Sequence, residues 1–575
     1  TSSAVICTVV RAEPLAAPPT VVLVAICGAV AACRARFGWT LVVVVLAATA
    51  VHAVRAQPEA EAIPAEASRI AGRATLVDDP RSRPGATVVL AEVEDVRYEL
   101  RAHGSARRAI APMLAGETVA VRGPGRALPE WGGGLGDRHV VARLHVETVE
   151  DWDPGGVVAR ATNRFRQLLR RGAVSLDEDA RGLFAGLVLG DRREQGPLVA
   201  DAFAAAGLTH LTAVSGQNVA YVLAVLAPLL GRVGRRSRLA GVLGALGFFA
   251  LVTRLEPSVL RAVTMAGLAA LATGLGRSTT GLRNLGLAVA GLLLVDPLLS
   301  GRPAFVLSVV ASAGILVGGT RLAGLLPGPR SMAGAVGVTL SAQLATGPVL
   351  AALFGGVPLA GIPANLLAGP AAGLVMMYGL TGGVVAGVAA TFGWGSVAAL
   401  VHLPTRVLVG WVLWVADGFA TIDTVPLSVP SSLALAAGTL VAAAALQHRR
   451  RPLPPRGRGR SGRLLGVLAA SAVVLPCLYH ATEPHRAGEP VRGEALATGA
   501  HLWRAGGALV GRAGLVVLDG RVRTEDLLAA LRARRIRSIE LVVARSNARG
   551  AVTAIDPLDR RFEVIEALAP AGAGE

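Results

Sequence analysis

Thr209, His210, Ser215, Gln217 and Asn218 crowd into ten residues at the head of an apolar run that continues to Leu230, in the string Gly207-Leu-Thr-His-Leu-Thr-Ala-Val-Ser-Gly-Gln-Asn-Val219. Within lipid such groups cannot face hydrocarbon. They must face protein or a wet cavity, so this string is the first place to look for function. Three more polar residues sit inside apolar segments: Arg261, one turn into the segment that begins Glu256-Pro257; Gln343, in Ser341-Ala-Gln-Leu-Ala-Thr-Gly-Pro348; and Asn365, between Pro363 and Pro370. A guanidinium within a spanning helix costs about 2.5–3.5 kcal/mol on insertion scales. Arg261 therefore either serves a buried purpose or snorkels to the interface from its place near a helix end. Pro363 and Pro370 leave carbonyls unpaired that the Asn365 amide could cap, and either amide could equally be interhelical glue.

Ser215 and His210 also invite a serine-hydrolase reading. Five residues along a helix turn through about 500°, which takes the two off a common face; no Asp stands ready to orient the imidazole, and the Gly-x-Ser-x-Gly elbow is missing. A base would have to come from another helix, where His402 is the other histidine between Pro197 and Leu446. That same interval holds twelve arginines and five acids (Asp201, Glu256, Asp296, Asp417, Asp423), with none from 297 to 416. A cation-coupled carrier places carboxylates at mid-membrane, so this stretch argues against one and suits the passage of a polyanion. Residues 494–575 contain one histidine, His501, where zinc needs three or four clustered ligands, and no Gly-x-x-x-x-Gly-Lys-Ser/Thr loop for ATP is present.

The elements that must position these residues are mostly apolar. Of 575 residues 53% are hydrophobic, and the mean hydropathy is +0.54, so the chain reads as a polytopic α-helical membrane protein. Its formal charge of +18 comes without a single lysine, which fits base-composition bias with topology signals as well as it fits polyanion binding. Cys7, Cys27, Cys33 and Cys477 are scattered and spell neither a disulfide framework nor a metal site.

Residues 1–55 hold two short apolar runs, 19–33 and 39–54, around Arg34 and Arg36, and read as a helical hairpin with a cytoplasmic turn. Residues 56–155 read as a small external β domain, a barrel whose short strands are separated by clusters such as Arg122-Gly-Pro-Gly-Arg126 and Gly132-Gly-Gly134. An amphipathic stretch, 156–206, leads into ten apolar segments between 207 and 480, each near the roughly 20 residues a bilayer requires. With the hairpin this makes about 12 helices. Arginine clusters at 232–238, 277–283, 321–330 and 449–463 fall in alternate loops, as cytoplasmic loops should. The segment 358–392, rich in Gly and interrupted by proline, reads as a candidate re-entrant element. Residues 494–575 form a small α/β unit, with strands at 501–503, 508–510, 514–518 and 539–544 around a helix at 524–535.

Five ordered motifs, Gly207-Leu-Thr-His-Leu-Thr-Ala-Val-Ser-Gly216, Pro257-Ser-Val-Leu-Arg-Ala-Val-Thr-Met265, Phe305-Val-Leu-Ser308 with Ala313-Gly314, Ala342-Gln-Leu-Ala-Thr346 and Ala364-Asn-Leu-Leu-Ala368, resemble the signature of the ComEC family of competence DNA-uptake channels. The resemblance implies a channel that imports single-stranded DNA across the cytoplasmic membrane, with no resident cofactor. Its wall would hold His210, Ser215, Gly216, Gln217, Asn218, Arg261, Ser308, Gln343 and Asn365. It further implies membrane lipids, a cytoplasmic ATP-driven helicase-like motor and an extracellular DNA receptor as partners. The β domain is similar to the family's OB-like domain, and 494–575 to the start of its metallo-β-lactamase-like domain. Where nuclease-competent members carry His-x-His-x-Asp-His, this chain has Arg545-Ser-Asn-Ala-Arg-Gly550, so the tail is expected to be degenerate and the protein not an enzyme. After Ser215-Gly216 the family commonly has Leu-His, here replaced by Gln217-Asn218, which removes any imidazole at that point. The alternatives to a DNA channel are a transporter of another anionic polymer or lipid-linked precursor, and an intramembrane serine hydrolase.

Overall fold

Alternation of inward apolar and outward polar side chains builds the first sheet, most plainly in β6 (Val140–Val146), where every second residue is buried. The structure, a computed structural model, describes residues 69–422, 431 and 494–570, apart from 84, 129–134, 355–356, 359, 504–511, 520–521, 535, 537 and 546–548. The expected N-terminal hairpin, the four cysteines, the arginine cluster at 449–463 and, but for Ser431, the segments at 429–447 and 463–480 lie outside the described residues. Two compact units emerge, the first from 69–193, 210–349 and 369–409, the second from 194–209, 350–368 and 410–570.

In the first unit, β1 (Arg69–Leu76) pairs with both β3 (Ala86–Val93) and β5 (Thr118–Ala127), and β4 (Val96–Ala102) runs parallel to β6. The order β1-β3-β4-β6-β5 therefore closes on β1 as a five-stranded ring, with β2 (Arg81–Arg83) and β7 (Thr148–Asp153) attached to its edges. Ala74, Leu100, Ala142, Leu144 and Val119 fill it. The two-residue turn from β3 to β4 puts Glu94 and Asp95 at φ 51° and 64°, the hand that matches strand twist.

One expectation is corrected here. Arg122-Gly-Pro-Gly-Arg126 does not separate strands but lies within β5. Up to Arg122 β5 pairs with β7, and from Gly125 it pairs with β6. The corner needs a residue without a side chain, because a Cβ on Gly123 would fall on the His145 carbonyl, and Pro124 has no N–H to leave unpaired at the bend.

Two polar ties join this barrel to helices of the same unit. At the first, Asp79 accepts from the Ala115 amide at 3.0 Å, from Arg254 Nη2 at 2.7 Å and from Arg166 Nη2 at 2.8 Å. Arg166, on the Val157–Gly172 helix, is 2% exposed and also donates to Asp191 at 3.1 Å and to the carbonyls of Leu189 and Val252. Burial alone would raise the Asp79 and Asp191 carboxyls. The surrounding arginines more than reverse this and hold both below their ordinary value of 3.8. At the second tie, His139 meets Asp296 at 3.0 Å, and Arg302 bonds both Asp296, at 3.0 Å, and the Asp137 carbonyl, at 2.8 Å.

Four helices among the described residues are long and apolar enough to cross a membrane: Pro257–Gly274, Pro303–Ala323, Arg330–Leu353 and Gly361–Thr391. A fifth span arises if Gly395–Val401 and Leu403–Phe419, bent by 52°, count as one; Gly216–Leu230 and Gly281–Val295 are shorter apolar helices. The expected count of about 12 is thus not reached among the described residues. Nor does the Gly-rich segment break as expected. Gly361–Thr391 is one continuous 31-residue helix with Pro363 in its first turn and Pro370 inside it. Its glycines are packing surface: a Cβ on Gly387 would overlap the Leu168 carbonyl, and one on Gly383 would stand 3.0 Å from Leu169. The 52° break falls later, around His402. The stretch read as amphipathic linker contains Glu178–Leu189, which is buried along most of its length; its apolar residues face the glycine ridge, as Phe184 does at 2.9 Å from the place of a Gly379 Cβ.

The second unit contains the five-stranded sheet β12-β11-β10-β9-β8, with β10 (Arg512–Leu518), β11 (Ser538–Ala544) and β12 (Glu563–Leu568) parallel and β9 (Ala500–Trp503) and β8 (Glu494–Ala497) antiparallel. The Thr524–Ala533 helix makes the crossover from β10 to β11, as a parallel pair requires. The sequence anticipates β9, β10, β11 and this helix; β8 and β12 are additions, and 508–510 falls outside the described residues.

Candidate functional site

Ser215 ends a short irregular stretch and caps the Gly216–Leu230 helix, its hydroxyl accepting from the Gln217 amide at 3.3 Å. The hydroxyl also donates to Asn218 Oδ1, and Asn218 Nδ2 donates to the Leu187 carbonyl at 3.2 Å. Ser258, in the first turn of the Pro257–Gly274 helix, donates to the Val214 carbonyl at 2.6 Å and so fastens that helix to the head of the Gly216–Leu230 helix. Three residues on, Arg261 reaches back over Gly216.

Arg261 is 6% exposed. Its Nε donates to Ser308 Oγ at 2.8 Å and its Nη1 to the thioether of Met265 at 3.1 Å, and among the described residues no carboxylate pairs with it. A Cβ on Gly216 would lie 2.5 Å from Nη2, so the Ser-Gly pair needs its glycine to let the guanidinium approach the helix start. The arrangement is electrostatically lopsided. A helix N-terminus carries about half a positive charge, and here it faces a buried cation whose acceptors are a hydroxyl and a sulfur. Both ends of the contact favour an anion between or beside them.

The structure thus brings together Ser215, Gly216, Asn218, Arg261 and Ser308. The remaining wall residues are placed elsewhere. His210 is exposed on the Thr209–Thr212 turn. Gln217 is exposed and donates to the Tyr221 hydroxyl. Gln343 is half-buried midway along Arg330–Phe354. Asn365 belongs to the second unit, where its amide donates to the Gly361 carbonyl of its own helix at 2.6 Å, and not to the carbonyls of 359 and 366 that Pro363 and Pro370 would leave unpaired. His402 is buried, bonded to Thr405 at 3.2 Å and edge-on to Phe184.

Sequence reasoning misses Ser258 and Met265 as parts of the site, although both lie in the quoted Arg261 motif at helical spacing from it. It also misses the Asp79–Arg166–Asp191 tie, for which only the Asp78-Asp79-Pro80 turn gives a local sign. A second cationic surface lies on the barrel: β4 and β6 place Arg101 beside His145, and Glu99 beside Arg143, which in turn pairs across from Arg126 on β5. Glu99 accepts from both Arg101 and Arg143. Partial burial and the cations Arg126, Arg101, His103 and Arg143 push the His145 imidazole below its ordinary range. No group of three or more His, Cys, Asp or Glu side chains gathers among the described residues.

Apolar spans around a buried arginine that meets no carboxylate among the described residues, with a barrel tied to helices of the same unit, mark a membrane protein. Over residues 187–452 the chain matches the family model described as Competence protein, so this region is a competence-protein domain of the ComEC type that the five motifs resemble, and it ties the chain to competence, the uptake of DNA. No curated protein and no solved structure matches the chain.

Proposed function

We propose that this protein is the conduit by which single-stranded DNA crosses the cytoplasmic membrane, and that its phosphates are met in turn at Arg261. The supporting observation is the guanidinium itself, buried without a carboxylate among the described residues at the start of a capped helix. A fixed acid there would neutralise it and repel the strand. Hydroxyls from Ser215 and Ser308 offer weak, reversible contacts, which a conduit needs so that a strand leaves as readily as it enters.

The closed ring β1-β3-β4-β6-β5, with β4 and β6 parallel, has the strand order of an OB barrel, and its Arg101, Arg126 and Arg143 face suits a strand awaiting passage. By the alternation of arginine loops, the barrel and the C-terminal unit both belong on the outer side. A cytoplasmic helicase-like motor and an external DNA receptor supply pull and delivery, and Arg545–Gly550 supplies no metal ligand for a nuclease. A hydrolase is disfavoured because both bonds of the Ser215 hydroxyl go to Gln217 and Asn218 rather than to a base.

The test is uptake of labelled DNA by cells carrying Arg261→Ala, Ser308→Ala or Asn365→Ala at matched protein levels. Arg261→Ala is expected to abolish uptake and Ser308→Ala to reduce it; normal uptake with Arg261→Ala sinks the reading. Because any phosphate polymer satisfies a lone guanidinium, competition between DNA and teichoic-acid-like or lipid-linked polymers for the reconstituted protein identifies the cargo.

A further inference from the structure

The Pro197–Ala205 helix precedes the Gly207–Val219 string, and its one acid, Asp201, is 6% exposed among Val199, Ala202, Phe203 and Ala205. A buried carboxylate is costly unless it is paired. Both of its partners come from the C-terminal α/β unit: Arg532, on the Thr524–Ala533 helix, meets Oδ1, and Arg561, at the end of the Ile555–Arg561 helix, meets Oδ2 at 3.1 Å from 360 positions away in the chain. Arg561 also reaches Asp417 at 3.5 Å. Leu198, one turn before Asp201, packs on the apolar core formed by Leu527, Leu528, Leu531 and Leu558. Immediately after the helix, Gly207 takes φ +69°, and a Cβ there would stand 3.0 Å from both Pro358 and the Gly361 Cα. Leu208 is fully buried. All of these residues belong to the second unit.

We propose that the C-terminal unit, whatever chemistry its fold once carried, works in this chain as the brace that holds Gly207–Thr209, the first residues of the signature string, with Asp201 as the positioning residue that locks the brace. Degeneracy of the tail does not by itself account for the arrangement. A remnant free of function has no need to neutralise a buried acid on a helix of another domain, and the only gain from that pair is to fix where the helix ends. Loss of both arginines leaves a carboxylate buried beside apolar neighbours, which drives the helix off the tail and releases the turn that Gly207 makes against Pro358. For its consequence on uptake, the inference rests on the conduit reading; its structural content does not.

The experiment uses the full chain in membrane vesicles, with the native cysteines replaced and Leu208→Cys introduced at a fully buried position of the string, and follows the rate of modification by a maleimide without DNA present. Arg532→Asp together with Arg561→Asp is expected to raise that rate about a hundredfold or more, the scale that loss of a buried pair sets. Adding Asp201→Arg to the same chain restores the pairing with reversed charges and is expected to return the rate to the starting value, which a misfolded protein could not do. An unchanged rate in the double variant, or no restoration in the triple one, overturns the brace. Uptake measured on the same three chains and on Arg261→Ala separates the two ideas: a rate that shifts and recovers while Arg261→Ala cells take up DNA normally leaves the brace standing and removes the conduit.

Discussion

Gly216→Ala isolates the contact on which the site depends. The new methyl would stand 2.5 Å from Arg261 Nη2 and 3.2 Å from the Ala262 side chain. Carbon contacts settle near 3.5–4.0 Å, so the guanidinium has to retreat by about 1 Å. It is the free end of a long side chain, and alanine favours helix over glycine by roughly 0.5–1 kcal/mol, so the protein is expected to accumulate and melt like the wild type. Function has less latitude. A retreat of about 1 Å carries the 2.8 Å bond between Arg261 Nε and Ser308 beyond hydrogen-bonding range. A bond to a charged group contributes about 1.5–3 kcal/mol, or roughly ten- to hundredfold in an equilibrium constant. Uptake of labelled single-stranded DNA at matched protein level is therefore expected to fall about tenfold or more. Arg261→Lys removes the Nη2 that collides, so in a chain already carrying that substitution the alanine should cost nothing further, a coupling that a double-mutant cycle reads directly. Independent, additive losses from Gly216→Ala and Arg261→Lys, or uptake within about twofold of wild type for Gly216→Ala, would refute the claim that the glycine exists for the guanidinium.

Other expected outcomes follow from the same geometry. Asp79→Ala strands Arg166 and Arg254 without one of their carboxylates and should destabilise the detergent-solubilised protein by about 3–5 kcal/mol in a thermal or denaturant series; a loss under about 1 kcal/mol contradicts the reading of that tie as a buried network. Because Asp79 and Asp191 are held below 3.8, their contribution is complete above that value and is lost only as pH falls through the lower folded-state pKa, so limited proteolysis of the barrel junction should stay unchanged down to about pH 4. Gly387→Val sets a side chain against the Leu168 carbonyl, which cannot swing away, and should lower stability by about 1–3 kcal/mol or more. His145 is held below its ordinary range by partial burial and neighbouring cations, so an anion that relieves the cations takes up a proton: anisotropy titrations of single-stranded DNA should tighten from about pH 8 to about pH 5.5, and His145→Gln should flatten the trend.

Apolar length made the spans legible and periodicity the Thr524–Ala533 helix, since each reports a segment against a single environment. Partner choice was not written locally. Arg122-Gly-Pro-Gly-Arg126 carries every sign of a turn, and only the approach of His145 explains why it is a strand changing neighbours. The same holds for Gly361–Thr391, where glycine at 379, 383 and 387 signals breakage in water and close helix packing in a bundle. At the site, Arg261 and the Ser215-Gly216 pair could be singled out as polar groups in apolar sequence. That the glycine serves the arginine is a fact of contact, and so is the turn of the Asn365 amide back onto its own helix.

The barrel is tethered twice, once through Asp79 to Arg166 and Arg254 and once through Asp137 and His139 to Arg302 and Asp296. The chain itself adds a third attachment where β7 runs into the Val157–Gly172 helix, with Asn163 donating to the Ala115 carbonyl beside it. An object held at three separated places cannot turn about any one of them, so barrel and helices of this unit shift together or not at all.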